Sequence, residues 1–255
     1  MIGAIAGDII GSIYEHDPIK TKKFPLFDVQ CRFTDDSVLT VAMADAILSG
    51  RSYETSVRDI GRRHPHAGYG GSFIRWLLSD NPRPYNSWGN GAAMRVSPVG
   101  FAFSTENEVL AQAEQTAVIT HDHPEGIKGA QATALAIFLA RTGHDKETIR
   151  HRIIQAFGYD LNRTTDEIRP GYRFDISCQG TVPEAIIAFL DADSWEDTIR
   201  NAVSLGGDSD TLACIAGGIA QAFYTEISPD IRNRVKQILT PDLWEITKAF
   251  FNRYC

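Results

Sequence analysis

The 255-residue chain carries 25 Lys and Arg against 32 Asp and Glu, a net charge of −7, with 43% hydrophobic and 22% charged side chains. That length suits one compact domain with a large core, and the balance is too apolar for extended disorder. The acidic excess offers no electrostatic footprint for nonspecific nucleic-acid binding or for an anionic membrane surface, whereas a bound divalent cation would relieve it.

The chain opens on MIGAIAGDIIGSIYE, which lacks a basic start and carries Asp8 within its apolar stretch, so no secretory signal is expected. Asp8 and Glu15 are two helical turns apart, which predicts that they share one face of a first helix. Their neighbours Ile5, Ile9, Ile10 and Ile13 predict that this helix is buried, where a carboxylate needs a partner. Residues 15–33 show no period. Then FTDDSVLTVAMADAIL sets Thr34, Asp35 and Asp36 ahead of Leu39, Ala42, Met43, Ala46 and Ile47, a helical spacing. HPHAG at 64–68 closes a helix and enters a loop. Residues 80–92, DNPRPYNSWGNGA, and residues 159–179 are aperiodic, and long loops in a compact domain are often functional.

Helical spacing covers 106–119, 126–140, 146–157, 183–190, 195–203, 211–224, 229–238 and 243–251. Ser228 before Pro229, Thr240 before Pro241, and Thr181 ahead of Pro183 read as helix starts. The Ala- and Gly-rich stretches 130–140 and 212–222 allow close backbone approach, which predicts central helices. Strand-like alternation is scarce, so the expected class is an all-α, multi-helix single domain over 1–255. No apolar run reaches the roughly 20 residues that cross a bilayer. Cys31, Cys178, Cys214 and Cys255 are scattered without a CxxC pair, which fits reduced thiols and a cytoplasmic protein, with Cys31 and Cys178 as small buried hydrophobes.

LGGDSDTLACIAGGIAQAFY repeats the earlier pattern: Asp208, Ser209, Asp210 and Thr211 precede a small-residue run. An N-cap with acids in the first turn accounts for either cluster alone. Residues i and i+2 of a helix point about 200° apart, so Asp208 and Asp210 converge only where the helix begins. Carboxylates with Thr hydroxyls are hard oxygen donors suited to Mg²⁺, Mn²⁺ or Ca²⁺. Without a cation their repulsion would raise at least one pKa. His121 and His123 form an HxH pair, but no Cys or third His stands at zinc spacing.

GAIAGDIIGSIYE at 3–15, FTDDSVLT at 33–40, GNGAAMRVSPVG at 89–100, THDHPEG at 120–126, and TVPEAIIAFL followed by SLGGDSDTLACIAGGIAQAFY occur in that order. In these motifs the chain resembles the ADP-ribosylglycohydrolases over nearly its whole length. The resemblance implies an all-α fold with a central binuclear magnesium centre, in which manganese could substitute. It implies Thr34, Asp35 and Asp36 as one ligand set, and Asp208, Asp210 and Thr211 as the other. Glu15 and Asp36 stand as candidate catalytic residues, Glu15 beside the metals as a base or the group that orients water. Gly89, Asn90, Gly91, Met94 and Arg95 are implied as substrate-binding, near the diphosphate and distal ribose, and His121 as a histidine near the substrate.

The activity implied is hydrolysis of the glycosidic bond between ADP-ribose and an acceptor, a modified protein side chain or a small ADP-ribose conjugate. The alternatives are a two-metal nucleotide or pyrophosphate phosphohydrolase and a noncatalytic ADP-ribose-binding protein. The segment YDLNRTTDEIRPGYRFDISCQG has no distinctive family match, and its Arg163, Arg169, Tyr172 and Phe174 could contact adenine or phosphate or pack on the surface.

Overall fold

The computed structural model describes residues 1–225 and 227–255. Every extended regular element among them is a helix, and the one β-type pairing is an isolated antiparallel bridge between Gly89 and Ser177. This is the all-α architecture that the periodicity predicts.

The centre of the fold is the antiparallel pair α1 (Ile2–Gly11) and α13 (Ser209–Tyr224). Gly3, Gly7 and Gly11 recur every fourth residue and line one stripe of α1. A Cβ at these positions would stand 2.5 Å from the Gly217 carbonyl oxygen, 2.0 Å from that of Ala213 and 2.4 Å from that of Ser209. The two backbones therefore touch directly, and the N-terminus of α13 is held beside the C-terminal half of α1. Ile2, Ile5, Ile9 and Ile10 are fully buried on the other faces of α1, each contributing about 1.5–3 kcal/mol of hydrophobic stabilisation.

Three helices surround α13: α8 (Pro124–Arg141), α11 (Cys178–Leu190) and α12 (Trp195–Ser204). The Ala-rich α8 and Gly-rich α13 are central, as their small side chains predict. Beside α1 runs α2 (Asp35–Ser49), which also meets α3 (Tyr53–Arg63), α6 (Ser97–Ala102) and α15 (Pro241–Tyr254). The short α5 (Gly91–Met94) packs on α8, as do α7 (Glu106–Val118) and α9 (Lys146–Phe157). Gly71–Leu78 (α4), Thr165–Ile168 (α10) and Pro229–Ile238 (α14) complete the helices among the described residues. None of the helices described is long and apolar enough to cross a membrane.

Two local expectations are corrected. The first helix ends at Gly11, so Glu15 does not share a helix face with Asp8. Gly11 and Ser12 are poor helix formers, the Ser12 hydroxyl bonds back to the Ile9 carbonyl at 2.9 Å, and the chain turns. Secondly, α11 begins at Cys178 under a Ser177 cap that accepts from the Gly180 amide at 3.0 Å, which leaves Pro183 inside the helix. Thr181 does not cap because its hydroxyl donates to the Asp175 carbonyl at 2.9 Å. Thr240 stands at the cap position of α15, as expected, with its hydroxyl donating to Asp242 at 2.6 Å in place of a capping bond.

Candidate metal centre and ligand pocket

Four segments bring carboxylates to one place. The α1–α13 contact fixes Asp8 beside Asp210, the turn after α1 carries Glu15, and the N-terminus of α2 supplies Thr34, Asp35 and Asp36. Asp8 accepts from the Thr34 amide at 3.0 Å, the Thr34 hydroxyl at 2.6 Å, the Ser37 amide at 3.1 Å and the Ser37 hydroxyl. A carboxylate of one helix thus satisfies the orphan amides at the start of another. Thr34 itself caps α2 by accepting from the Asp36 amide at 3.3 Å. With the cap already made, the carboxylates of Asp35 and Asp36 have no capping work left to do. At α13, Asp208 holds the N-cap position without making a capping bond, and accepts instead from Asn90 Nδ2 at 2.7 Å. Helix capping therefore accounts for Thr34 and not for the acids.

Two trios offer oxygens lying within 4.8 Å of one another: Asp8, Asp36 and Asp210, and Glu15, Asp208 and Asp210. Asp210 belongs to both, and neither contains a histidine. Asp36 Oδ2 accepts from the Thr211 hydroxyl at 3.3 Å, while Asp36 Oδ1 is buried without a hydrogen-bond partner among the described residues. A buried carboxylate oxygen left open among other acids is the donor chemistry of a hard divalent cation.

The electrostatics agree. Burial, then the charge of Asp8, pushes Asp35 up to about 8. Burial, then neighbouring carboxylates, holds Asp36 and Asp210 well above the usual range. The charges acting on these three residues all come from other acids. Asp8 is raised less, to about 6, because burial is opposed by its bonds from Ser37 and Thr34. Glu15, half-buried, is raised by burial and then by Asp208.

A pocket of about 710 Å³ opens over this centre, and all six residues expected as ligands line it, together with Glu15. Gly89, Asn90, Gly91, Met94, Arg95 and His121 border the same pocket. The 88–90 segment is tied to the start of α11 by the Asn90 amide on the Ile176 carbonyl at 2.7 Å and the Cys178 amide on the Trp88 carbonyl at 3.0 Å. Asn90 turns its amide inward, to Asp208 and, at 3.1 Å, to Thr181. Arg95 is fully buried and donates to the Thr116 carbonyl at 2.8 Å and the Thr120 hydroxyl at 2.7 Å. A Cβ on Gly91 would stand 3.1 Å from His121 Nε2, so only glycine leaves that nitrogen clear.

The rim is apolar. Trp88, Phe174 and Ile176 are 45%, 53% and 53% exposed at the pocket mouth. Of the residues singled out in the 159–179 segment, Phe174 alone lines the pocket. Arg163 pairs with Glu184 at 2.9 Å, Arg169 donates to Ser204 at 2.9 Å, and the Tyr172 hydroxyl donates to the Gly180 carbonyl at 2.9 Å. His123 caps α8, accepting from the Glu125 amide at 3.1 Å. Sequence reasoning left Asp8 and Trp88 out of the site. A carboxylate in an apolar helix was the signal for the first, whereas a single Trp in an aperiodic loop gave none for the second.

The ADP-ribosylglycohydrolase family model matches residues 1–255. The ADP-ribosylhydrolase ARH3 of Homo sapiens is 27% identical, the match covering 88% of this chain and 84% of that protein. The ADP-ribosylhydrolase ARH3 of Xenopus tropicalis is 25% identical over 89% of this chain and 86% of that protein. The ADP-ribosylarginine hydrolase Tri1 of Pseudomonas putida is 26% identical over 88% and 69%. A solved structure described as an ADP-ribosylglycohydrolase-related protein complex shares the fold, with a TM-score of 0.73, 23% identity, and coverage of 98% of this chain and 96% of that one. Matched along its whole length, the chain belongs to the ADP-ribosylglycohydrolase family, a family of ADP-ribosyl hydrolases.

Proposed function

We propose that the protein is a magnesium-dependent hydrolase, manganese serving in its place, that cleaves the glycosidic bond between ADP-ribose and an acceptor. The acceptor is a modified protein side chain or a small ADP-ribose conjugate. The observation that carries this reading is the pair of carboxylate trios sharing Asp210 at the base of a pocket large enough for a nucleotide. Thr34, Asp35 and Asp36 on one side, and Asp208, Asp210 and Thr211 on the other, would hold the two cations. Bound there, the cations would supply Lewis acidity and a template for sugar hydroxyls.

The remaining chemistry falls to the chain's own residues. Glu15 sits outside the helix, half-buried and with its carboxyl raised, which suits a group that takes a proton from water near neutral pH. The carboxylate of Asp36 adds negative charge below the pocket, favourable to a sugar ring that becomes oxocarbenium-like as the acceptor leaves. Gly89 and Gly91 leave space for close backbone approach, Asn90 steadies Asp208, and Met94 and His121 close the wall. Trp88, Phe174 and Ile176 offer an apolar rim on which a planar base can stack.

The test is product analysis. ADP-ribosylated arginine and serine peptides and O-acetyl-ADP-ribose are incubated with the protein in magnesium and in chelator. Free ADP-ribose from at least one of them, abolished by chelator, is expected. AMP with a ribose phosphate would overturn the proposal in favour of a phosphohydrolase, and binding of ADP-ribose without turnover of any conjugate would reduce the protein to a binding module.

A further inference from the structure

Arg95 is the largest fully buried side chain of the protein, and its Nε and Nη1 have no hydrogen-bond partner among the described residues. Its Nη2 donates to the Thr116 carbonyl and, at 2.7 Å, to Thr120 Oγ1. Thr120 Oγ1 lies 2.7 Å from His121 Nδ1, and Thr120 is fully buried. A guanidinium has donors and no acceptor, so Thr120 Oγ1 must accept from Arg95. The hydroxyl's single proton is then free for His121. Arg95 and His121 are the two side chains hydrogen-bonded to the Thr120 hydroxyl among the described residues, so the proton not needed by Arg95 goes to His121. With Nδ1 accepting, a neutral imidazole carries its proton on Nε2. That nitrogen makes no hydrogen bond among the described residues and faces the space kept open by Gly89 and Gly91, where added Cβ atoms would lie 3.6 and 3.1 Å from it.

We infer that Arg95 and Thr120 are positioning residues that lock His121 in its Nε2–H tautomer, so that the imidazole is a permanent hydrogen-bond donor to an anionic oxygen of the ligand in the pocket. The relay gives the fully buried guanidinium at the border of the pocket a role that needs no direct contact with the ligand. Its charge acts through Thr120, fixing which nitrogen donates, and it also opposes protonation of the ring. Burial, and then Arg95, hold His121 well below its ordinary value, which keeps the ring neutral. A donor whose proton is already in place needs no reorganisation when the ligand arrives. The nature of the ligand, a diphosphate such as that of ADP-ribose, rests on the proposed function, whereas the tautomer does not.

The experiment is two-bond ¹H–¹⁵N correlation spectroscopy of the full-length protein with ¹⁵N-labelled histidine, combined with titration by ADP-ribose. Wild type is expected to show a protonated Nε2 and a bare Nδ1 at His121. Thr120→Val keeps the side-chain shape but removes the hydroxyl; it is expected to lose the tautomer preference and to weaken ADP-ribose binding about tenfold. Thr120→Ser is expected to restore both. A wild-type spectrum with the proton on Nδ1, or on both nitrogens at neutral pH, overturns the inference without any variant having to fold. Unchanged affinity in a Thr120→Val protein that has lost the tautomer overturns the donor role. Wild type with the Nε2–H signature but no affinity for ADP-ribose supports the lock and counts against the proposed substrate instead.

Discussion

The Cβ that Gly7 lacks would stand 2.0 Å from the carbonyl oxygen of Ala213 and 2.9 Å from the amide nitrogen of Cys214. Both are backbone atoms of a helix interior, so neither can rotate away, and Gly7→Ala must push α1 off α13. The expected cost is about 3 kcal/mol, the upper end for overpacking a closed core. Gly50→Ala is the control: its glycine has φ of 72° with nothing within 4 Å, so only left-handed strain of about 1 kcal/mol is expected. Urea unfolding of both variants checks the difference. Equal midpoints would mean that the α1–α13 interface is looser than the glycine stripe requires.

Asp8 offers a second point at which to weaken the centre. Both of its oxygens accept bonds, Oδ1 from the Thr34 hydroxyl and Oδ2 from the Thr34 amide and from Ser37. In Asp8→Asn, the amide nitrogen faces the Thr34 and Ser37 amides at the Oδ2 position, and at the Oδ1 position it forces the Thr34 hydroxyl to turn from donor to acceptor. The variant is expected to lose about 3 kcal/mol of stability and to weaken cation binding, because Thr34 and Ser37 lose the group that aligns the start of α2. Calorimetric unfolding, with and without magnesium, reads both effects. A variant as stable as wild type would remove Asp8 from this role.

The sequence made the two acidic clusters legible because each lies at a helix start, where a hydroxyl and acids precede an apolar period. The glycine stripe that brings the clusters together was harder to see, since small residues at positions 3, 7 and 11 carry no hydrophobic signal of their own. Glu15 looked helical by spacing, but spacing does not register that Ser12 turns its hydroxyl back on the helix. Residues 53–78 hold two helices of which the sequence marked only the end of the first, at HPHAG; α3 is mostly polar and buries little beyond Ser56, Val57, Ile60 and Gly61. The direction of the Arg95 side chain was also beyond pattern, because burial of a guanidinium depends on the Thr116 carbonyl and Thr120, which are distant in sequence.

The raised carboxylates set a sign for pH dependence. Asp8 at about 6 and Asp35 at about 8 stand above the unfolded value of about 4. Between those limits the folded protein holds protons that the unfolded chain has released. The cation-free fold is therefore favoured at low pH, and this contribution is lost as pH rises through the folded values. Bound magnesium favours the ionised form, so its stabilisation should grow over the same window. The rise in Tm on adding excess magnesium is expected to be larger at about pH 8 than at about pH 5.5, with up to about 3 kcal/mol available at saturation. A rise of the same size at both values would contradict the assignment of these carboxylates to the cation centre.

Glu15 and Asp210 should separate catalysis from cation binding. Asp210 belongs to both trios, whereas Glu15 belongs to one and lies on the turn after α1. Glu15→Gln is expected to keep most of the magnesium-induced rise in Tm and to lower the rate of ADP-ribose release by at least about 100-fold. Asp210→Asn is expected to lose both. Full turnover in Glu15→Gln would exclude it as the base, and an intact magnesium response in Asp210→Asn would exclude the shared ligand.

Trp88 provides a prediction that leaves the centre untouched. Its side chain is 45% exposed at the pocket mouth, while its backbone carbonyl holds the Cys178 amide and survives substitution. Trp88→Ala should therefore change stability by no more than about 0.5 kcal/mol. If the indole stacks on the adenine, its loss removes about 1–3 kcal/mol of binding, a rise of about tenfold or more in the Kd for ADP-ribose. Ribose 5-phosphate, which has no base, should bind both proteins alike. Titration of the two ligands against wild type and variant makes the comparison internal. A variant that loses affinity equally for both would show that Trp88 shapes the pocket and does not read the base.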